Sequence, residues 1–193
     1  MKKIIFSLII TFTLLIMANV ESIGQCPSCP SPYSSYSVNF TYQGCTLTAN
    51  FCLDCAPTGH PVLSLCSVSV PSSCGSVSVD PNFWNAARIA MLTESVNICG
   101  NIGPCPERVA VDIYQAQCWQ LENDEEMGMV HIIPCDEQAG LCMREYEVCW
   151  DNGNLQITQG DAFVIDEGEC DYEEIIIAPF PYSLFEGCFN SCY

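Results

Sequence analysis

The sequence predicts an α+β fold, mostly β: an antiparallel sheet or small sandwich packed on one main helix at about 81–98 and stapled by disulfides. Three observations carry this reading. Alternation of apolar and polar residues with period two recurs along most of the chain. A single stretch has helical spacing with a start and a stop signal. Sixteen cysteines punctuate the 193 residues.

The elements follow in order. Residues 25–35 are rich in Pro and Ser and read as an irregular lead-in tied down by Cys26 and Cys29. Tyr36, Val38, Phe40 and Tyr42 share one face of a first strand, and Gln43-Gly44 breaks it. Cys45, Leu47, Ala49 and Phe51 line one face of a second. A turn around Gly59 leads to a third, Val62–Val70, with Cys66, Val68 and Val70 on one side and Ser67 and Ser69 on the other. Such alternation suits an antiparallel sheet with one wet face.

Asp80-Pro81 opens the helix. The Asp80 carboxylate can cap it, and Pro81 at the first helical position lacks an N–H that would be unsatisfied anyway. Phe83, Ala87, Ala90 and Met91 follow helical spacing, Ala86, Ile89 and Val96 widen the apolar side, and Gly100 then Pro104 end it. Cys99 is placed to staple its last turn.

Strand character returns over Arg108–Trp119 and again over Gly128–Ile133. Asn152-Gly153 sits between Met143–Trp150 and Leu155–Thr158. Both turn positions accept positive φ, so this is a two-residue hairpin that sets Trp150 opposite Leu155 and Val148 opposite Ile157. Residues 160–174 read as an acidic loop, Ile175–Ile177 as a closing strand, and Cys188 and Cys192 pin the tail. The run from Phe40 to Cys45 faintly echoes the one from Asp112 to Cys118, a possible trace of duplication without a fixed period.

The N-terminus reads as an export signal. Lys2 and Lys3 precede an apolar run, Ile4 to Met17, of signal-peptide length and too short for a comfortable membrane span. Small residues at Ser22 and Gly24 put the cut before Gln25, giving a signal peptide over 1–24 and one cysteine-rich acidic domain over 25–193. Export places the mature chain outside the cell, where Cys26, Cys29, Cys45, Cys52, Cys55, Cys66, Cys74, Cys99, Cys105, Cys118, Cys135, Cys142, Cys149, Cys170, Cys188 and Cys192 are expected to form disulfides. Their pairing is open, with roughly two million full sets available.

Charge excludes some partners. Beyond the predicted cut the chain has no lysine, and Arg88, Arg108 and Arg144 stand against 22 carboxylates. Nucleic acid is excluded, because phosphate binding requires clustered cations, and anionic membrane surfaces are disfavoured on the same ground. No later run reaches membrane-spanning length. The acid is lopsided, with residues 25–106 holding only Asp54, Asp80 and Glu94 and residues 107–193 the rest. An extracellular protein or a glycan is the partner this surface allows.

Motifs for chemistry are sparse. Cys26-Pro27-Ser28-Cys29 and Cys52-Leu53-Asp54-Cys55 have the spacing of a redox pair or of half a zinc site. Neither precedes a helical pattern, and in an exported chain disulfide bonding is favoured. His60 reads as a turn residue and His131 as the outer face of a strand. No nucleophile-elbow, metalloprotease, phosphate-loop or dinucleotide pattern occurs. No cofactor is expected unless it is calcium, for which Asp166, Glu167, Glu169 and Asp171 are the candidate ligands; a second acidic run, Glu122–Glu126, misses the EF-hand spacing. Trp84, Trp119, Trp150 and the early tyrosines could form a binding platform, although Trp150 fits the hairpin core. The readings carried forward are a secreted structural or binding module without catalytic activity, a secreted hydrolase using paired carboxylates, and a calcium-dependent surface module.

One expectation is directly measurable. The denatured, unreduced mature protein should take up no alkylating reagent, and its intact mass should lie sixteen hydrogens below the fully reduced form. Alkylation of two or four thiols would restore the Cys-x-x-Cys pairs as a redox or metal site.

Overall fold

The computed structural model describes residues 28–55, 60–100, 102–135, 139–179 and 185–192. The predicted signal peptide and the turn around Gly59 lie outside the described residues. The elements are β1 Ser34–Tyr42, β2 Cys45–Asp54, β3 Val62–Pro71, β4 Val77–Val79, α1 Pro81–Cys99, β5 Val109–Ala116, β6 Cys118–Asp124, β7 Met129–Pro134, β8 Leu141–Asp151, β9 Asn154–Asp166, β10 Ile175–Ile177 and β11 Phe189–Asn190. Nine strands form one mixed sheet, and β4 with β10 forms a separate two-stranded ribbon. The described residues are mostly β with one helix and are stapled by disulfides, as the sequence predicts.

β3 is the centre of the large sheet. Along one edge it pairs antiparallel with β2, which in turn pairs with β1. Its other edge is divided. Val62–Ser64 pair with β5, and Val68–Pro71 pair with β7. From β5 the sheet continues to β8 and β9; from β7 it continues to β6 and β11.

The β3–β5 pair is parallel, whereas the sequence suggests antiparallel strands throughout. A parallel pair needs a long crossover, usually a helix, and the chain between β3 and β5 contains β4 and all of α1. The expected strand over Arg108–Trp119 is in fact two. It breaks at Gln117, and β6 runs on to pair with β7. β5 and β6 do not pair with each other as β1 and β2 do, so the faint internal echo has no counterpart in the pairing.

The helix is built as its caps imply. Asp80 Oδ1 accepts a hydrogen bond from the Phe83 N–H at 2.9 Å. Gly100 adopts the left-handed conformation at the other end and donates its N–H to the Val96 carbonyl. Phe83, Trp84, Ala87, Arg88, Met91, Leu92, Ser95 and Val96 are buried, a stripe of three- and four-residue steps laid on the sheet. Beneath it sit Phe40, Leu47, Ala49, Phe51, Leu63, Leu65, Val68, Val111, Ile113, Ile132, Tyr146 and Val148. Trp84 packs against Phe83 at 5.1 Å and Trp119 at 5.0 Å between ring centroids, and stacks near Phe189. These rings carry the core from the helix to the C-terminal tail. Truncating a buried Trp of this kind typically costs about 3–5 kcal/mol, so the tryptophans suggested as a platform are structural: Trp84 and Trp119 are fully buried, and Trp150 packs on the core.

A polar link accompanies them. Ser191 Oγ accepts from Trp119 Nε1 at 2.9 Å and from Gln115 Nε2 at 2.6 Å, and donates to the Ala116 carbonyl. Gln115 Oε1 in turn accepts from Arg88 Nη1 at 3.1 Å. The tail is thus held to the helix through the sheet. Arg88 and Arg144 are both buried, so two of the three arginines beyond the predicted cut lie in the interior. Burial pulls the Arg88 guanidinium below its ordinary pKa.

Two further differences concern strand detail. Between Asn50 and Phe51 the β2–β3 register shifts, so that Ser67 and Leu65 oppose consecutive β2 residues and Cys66 is the extra residue. This β-bulge turns Cys66 away from the Val68 and Val70 side and sets its sulfur 3.6 Å from that of Cys52. The acidic loop expected over 160–174 is strand up to Asp166, because β9 keeps pairing with β8 through two register shifts. Trp150–Leu155 and Val148–Ile157 are partners as predicted.

Seven described disulfides join Cys29–Cys52, Cys45–Cys74, Cys55–Cys99, Cys105–Cys149, Cys118–Cys170, Cys135–Cys188 and Cys142–Cys192. Cys66 is disulfide-bonded as well. Cys99 staples the helix end and Cys188 and Cys192 pin the tail, as expected. In the chain-entropy description each such loop contributes about 3–4 kcal/mol, and nested loops do not add.

The helix start also sets an alkaline signature. The Tyr42 hydroxyl donates to Asp80 Oδ1 at 2.8 Å, and burial, then this bond, push its pKa up to about 12. A raised folded-state value stabilises below the unfolded tyrosine range near pH 10 and is lost as pH rises toward 12. Ultraviolet titration should therefore lose a phenol titrating at about pH 12 in Tyr42→Phe, and Asp80→Ala should lower stability by about 1–2 kcal/mol through the lost cap. A Tyr42→Phe titration that instead loses a phenol of ordinary pKa, about 10, would show that this bond does not form.

Candidate functional site

The sheet has two unlike faces. One is covered by α1. The other carries Cys52, Ser64, Tyr114 and their neighbours, and only part of it is covered. The covering segment is the lead-in before β1. Its Tyr33 N–H donates to the Pro30 carbonyl at 2.8 Å, which closes a turn. The Cys29–Cys52 disulfide pins that turn over the strands.

The result is a groove of about 290 Å³ lined by Pro30, Tyr33, Cys52, Val62, Ser64, Tyr114 and Leu141. Its floor follows from register. Cys52 opposes Ser64 across β2–β3, Ser64 opposes Tyr114 across β3–β5, and Ala116, two residues along, opposes Leu141 across β5–β8. Tyr33 and Tyr114 are half-buried. Burial, then the neighbouring Asp112, push the Tyr114 phenol pKa up, so it stays a neutral hydrogen-bond donor well above physiological pH. The lining combines two phenols and a serine hydroxyl with Pro, Val, Leu and a disulfide. It contains no carboxylate, imidazole or fixed cation.

The sequence-predicted acids lie elsewhere. Asp166 ends β9, Glu167, Glu169 and Asp171 follow it, and all four are exposed. Asp171 Oδ2 accepts the Cys188 N–H at 2.9 Å, a bond that shapes the tail. Among the described residues no group of three or more His, Cys, Asp or Glu is placed to hold a metal ion. Two acids share a second cleft of about 320 Å³, Asp80 and Glu174, with Ser78, Val79, Ile175 and Ile176. There Asp80 is engaged by both the helix start and Tyr42, so it is a cap, not a free base. The Cys-x-x-Cys motifs are not closed on themselves: Cys29 bonds Cys52, and Cys55 bonds Cys99.

One constellation escapes sequence reading altogether. Ser69 Oγ lies 3.0 Å from His131 Nδ1, and Asp124 Oδ2 lies 3.7 Å from His131 Nε2. Ser69 and His131 are direct partners across β3–β7, yet 62 residues apart in the chain. These are the residue types of a serine hydrolase, but the geometry is different. In such a triad the hydroxyl bonds Nε2 and the carboxylate bonds Nδ1. Here the attachments are reversed, and the carboxylate is beyond hydrogen-bond distance. Ser69 also sits where β3 is paired on both sides, by Thr48 and by His131, so free N–H groups for an oxyanion are not at hand. The hydroxyl and the imidazole are both buried, and the array is a polar tie between strands.

No described helix is long and apolar enough to cross a membrane. No family model, curated protein or solved structure matches the chain.

Two outcomes follow for the polar tie. A fluorophosphonate probe should leave the folded protein unlabelled, and Ser69→Ala should lower stability by about 1–3 kcal/mol, since it strands a buried imidazole nitrogen. Labelling that disappears in Ser69→Ala would make the array catalytic.

Proposed function

We propose that the protein is an exported binding module without catalytic activity, and that the Tyr33–Tyr114 groove holds an uncharged ring with one apolar face, as a sugar ring of an extracellular glycan has. The observation that carries this is the pairing of two half-buried tyrosines over a floor held by a disulfide. Aromatic faces stack on the C–H face of a ring, while phenol and serine hydroxyls bond its oxygens. A groove of this volume lies at the lower end of the range for small-ligand sites. A wall fixed by Cys29–Cys52 costs little ordering on binding.

Export is supported by the sequence of residues 1–24 and by the density of disulfides, which form and persist in oxidising compartments. The absence of lysine in the mature chain fits a surface that does not recruit phosphate or anionic lipid.

Titration calorimetry against a panel of neutral oligosaccharides should find a ligand whose affinity falls at least tenfold in Tyr114→Ala and in Tyr33→Ala. Met127→Ala, which changes an exposed side chain at the β6–β7 turn, should leave it unchanged. Equal binding by the tyrosine variants would remove the groove from the function, and a panel without any binder would remove the glycan reading.

A further inference from the structure

A second surface lies at the far end of the sheet. The strand order ends at β9, which pairs with β8 and leaves its other edge without a strand partner among the described residues. Thirteen residues long, it offers a row of backbone donors and acceptors. Natural proteins usually shorten, twist away or cover such an edge. Its distal part also breaks the pattern expected of a solvent strand. Phe163, Val164 and Ile165 are consecutive and are 49 %, 50 % and 53 % exposed.

This segment carries two register shifts against β8, at Gly160–Asp161 and at Ile165, and is anchored at both ends. At one end is the Asn152-Gly153 turn. At the other, Leu141 pairs with Asp166, and Gly140 lies so close to Gly168 that a Cβ on it would sit 2.4 Å from the Gly168 nitrogen. The Gly168 N–H donates to Gln117 Oε1 at 2.8 Å, and Cys170 is bonded to Cys118. An extended chain adding to this edge would meet a strand already ordered, which is the condition for recognition by strand addition.

Charge selects the occupant. Asp161 and Asp166 flank the apolar triplet, Glu167, Glu169 and Asp171 follow it, and all five are exposed. A second copy fits badly. In antiparallel self-pairing, the register that keeps Phe163, Val164 and Ile165 against their own copies sets Asp161 opposite Glu167, and the register one residue away sets Asp161 opposite Asp166. Like charges directly opposite destabilise a pair, and each copy brings the acidic half of a chain with net charge −18. A basic segment turns each of these contacts favourable.

We propose that the edge of β9 from Gly160 to Asp166 docks an extended segment of an extracellular partner protein, apolar at alternate positions and carrying Lys or Arg between them. This surface is separate from the tyrosine groove and does not depend on it.

The test uses the oxidised protein and two fluorescein-labelled decapeptides, one alternating Lys and Val, the other Glu and Val. The Lys peptide should bind, the Glu peptide should not, and raising salt from 50 to 500 mM should weaken the complex at least fivefold. Hydrogen exchange should show new protection in residues 160–166. The double variant Asp161→Lys, Asp166→Lys changes only exposed side chains and should lose the Lys peptide at least tenfold while keeping the parent melting temperature. Binding of both peptides alike, protection elsewhere, or absence of binding overturns the proposal. So does a dimer in sedimentation equilibrium that Phe163→Ser with Ile165→Ser dissolves, since that assigns the edge to a second copy.

Discussion

The divided edge of β3 holds the molecule together. Among the seven described disulfides, three connect cysteines between Cys29 and Cys99, four connect cysteines between Cys105 and Cys192, and none crosses from one set to the other. Among the described bridges, then, nothing links the two halves across the stretch between Cys99 and Cys105. What makes them one sheet is β3, whose first residues pair with β5 and whose last pair with β7, both from the second half. The bulge at Cys66 falls between these two pairings. It gives the strand the local twist needed to serve limbs that diverge. The helix closes the arrangement from one side by packing on residues of both limbs.

The same division explains why the unlike faces coexist. The first half supplies the helix, the central strands and the lead-in that walls the groove. The second supplies the outer limbs and nearly all the acid. The groove sits where the halves meet, with Pro30, Tyr33, Cys52, Val62 and Ser64 from one and Tyr114 and Leu141 from the other. The apolar end of β9 lies at the margin of the acidic half. Bridges in each half hold both surfaces in place, so neither has to be ordered when something binds.

What could be read from the sequence was local. Asp80, Pro81 and Gly100 announce the helix, because a cap acts within one turn. Asn152-Gly153 fixes the register of its hairpin, because turn geometry and alternation agree. The features that were missed depend on contacts far apart in the chain. The Cys66 bulge is invisible to alternation, which treats β3 as one regular strand. The parallel β3–β5 pair depends on how α1 crosses the sheet. β9 loses its regular alternation from Gln159 onward and extends as strand because β8 runs beside it. The Ser69–His131 contact and the Tyr33–Tyr114 groove are made by register and by Cys29–Cys52, and the sequence does not record which cysteine bonds which. The acids at 166–171 stand out as a cluster on paper, but they project from a strand end and the segment beyond it without converging.

The bridging pattern also has a mechanical meaning. A pull applied at Cys29 and Cys192 does not have to travel along the 162 residues between them. It can pass through Cys29–Cys52, the short run to Cys55, Cys55–Cys99, the run to Cys105, Cys105–Cys149, the run back to Cys142 and finally Cys142–Cys192. That path holds roughly 55 Å of extended backbone and four bridges whose Cα–Cα spans are 5.1–6.1 Å. The unbridged chain would stretch to roughly 550 Å. Under load the protein is a short, nearly inextensible link, able to transmit tension between whatever its two ends are fastened to even after every hydrogen bond in the sheet has given way.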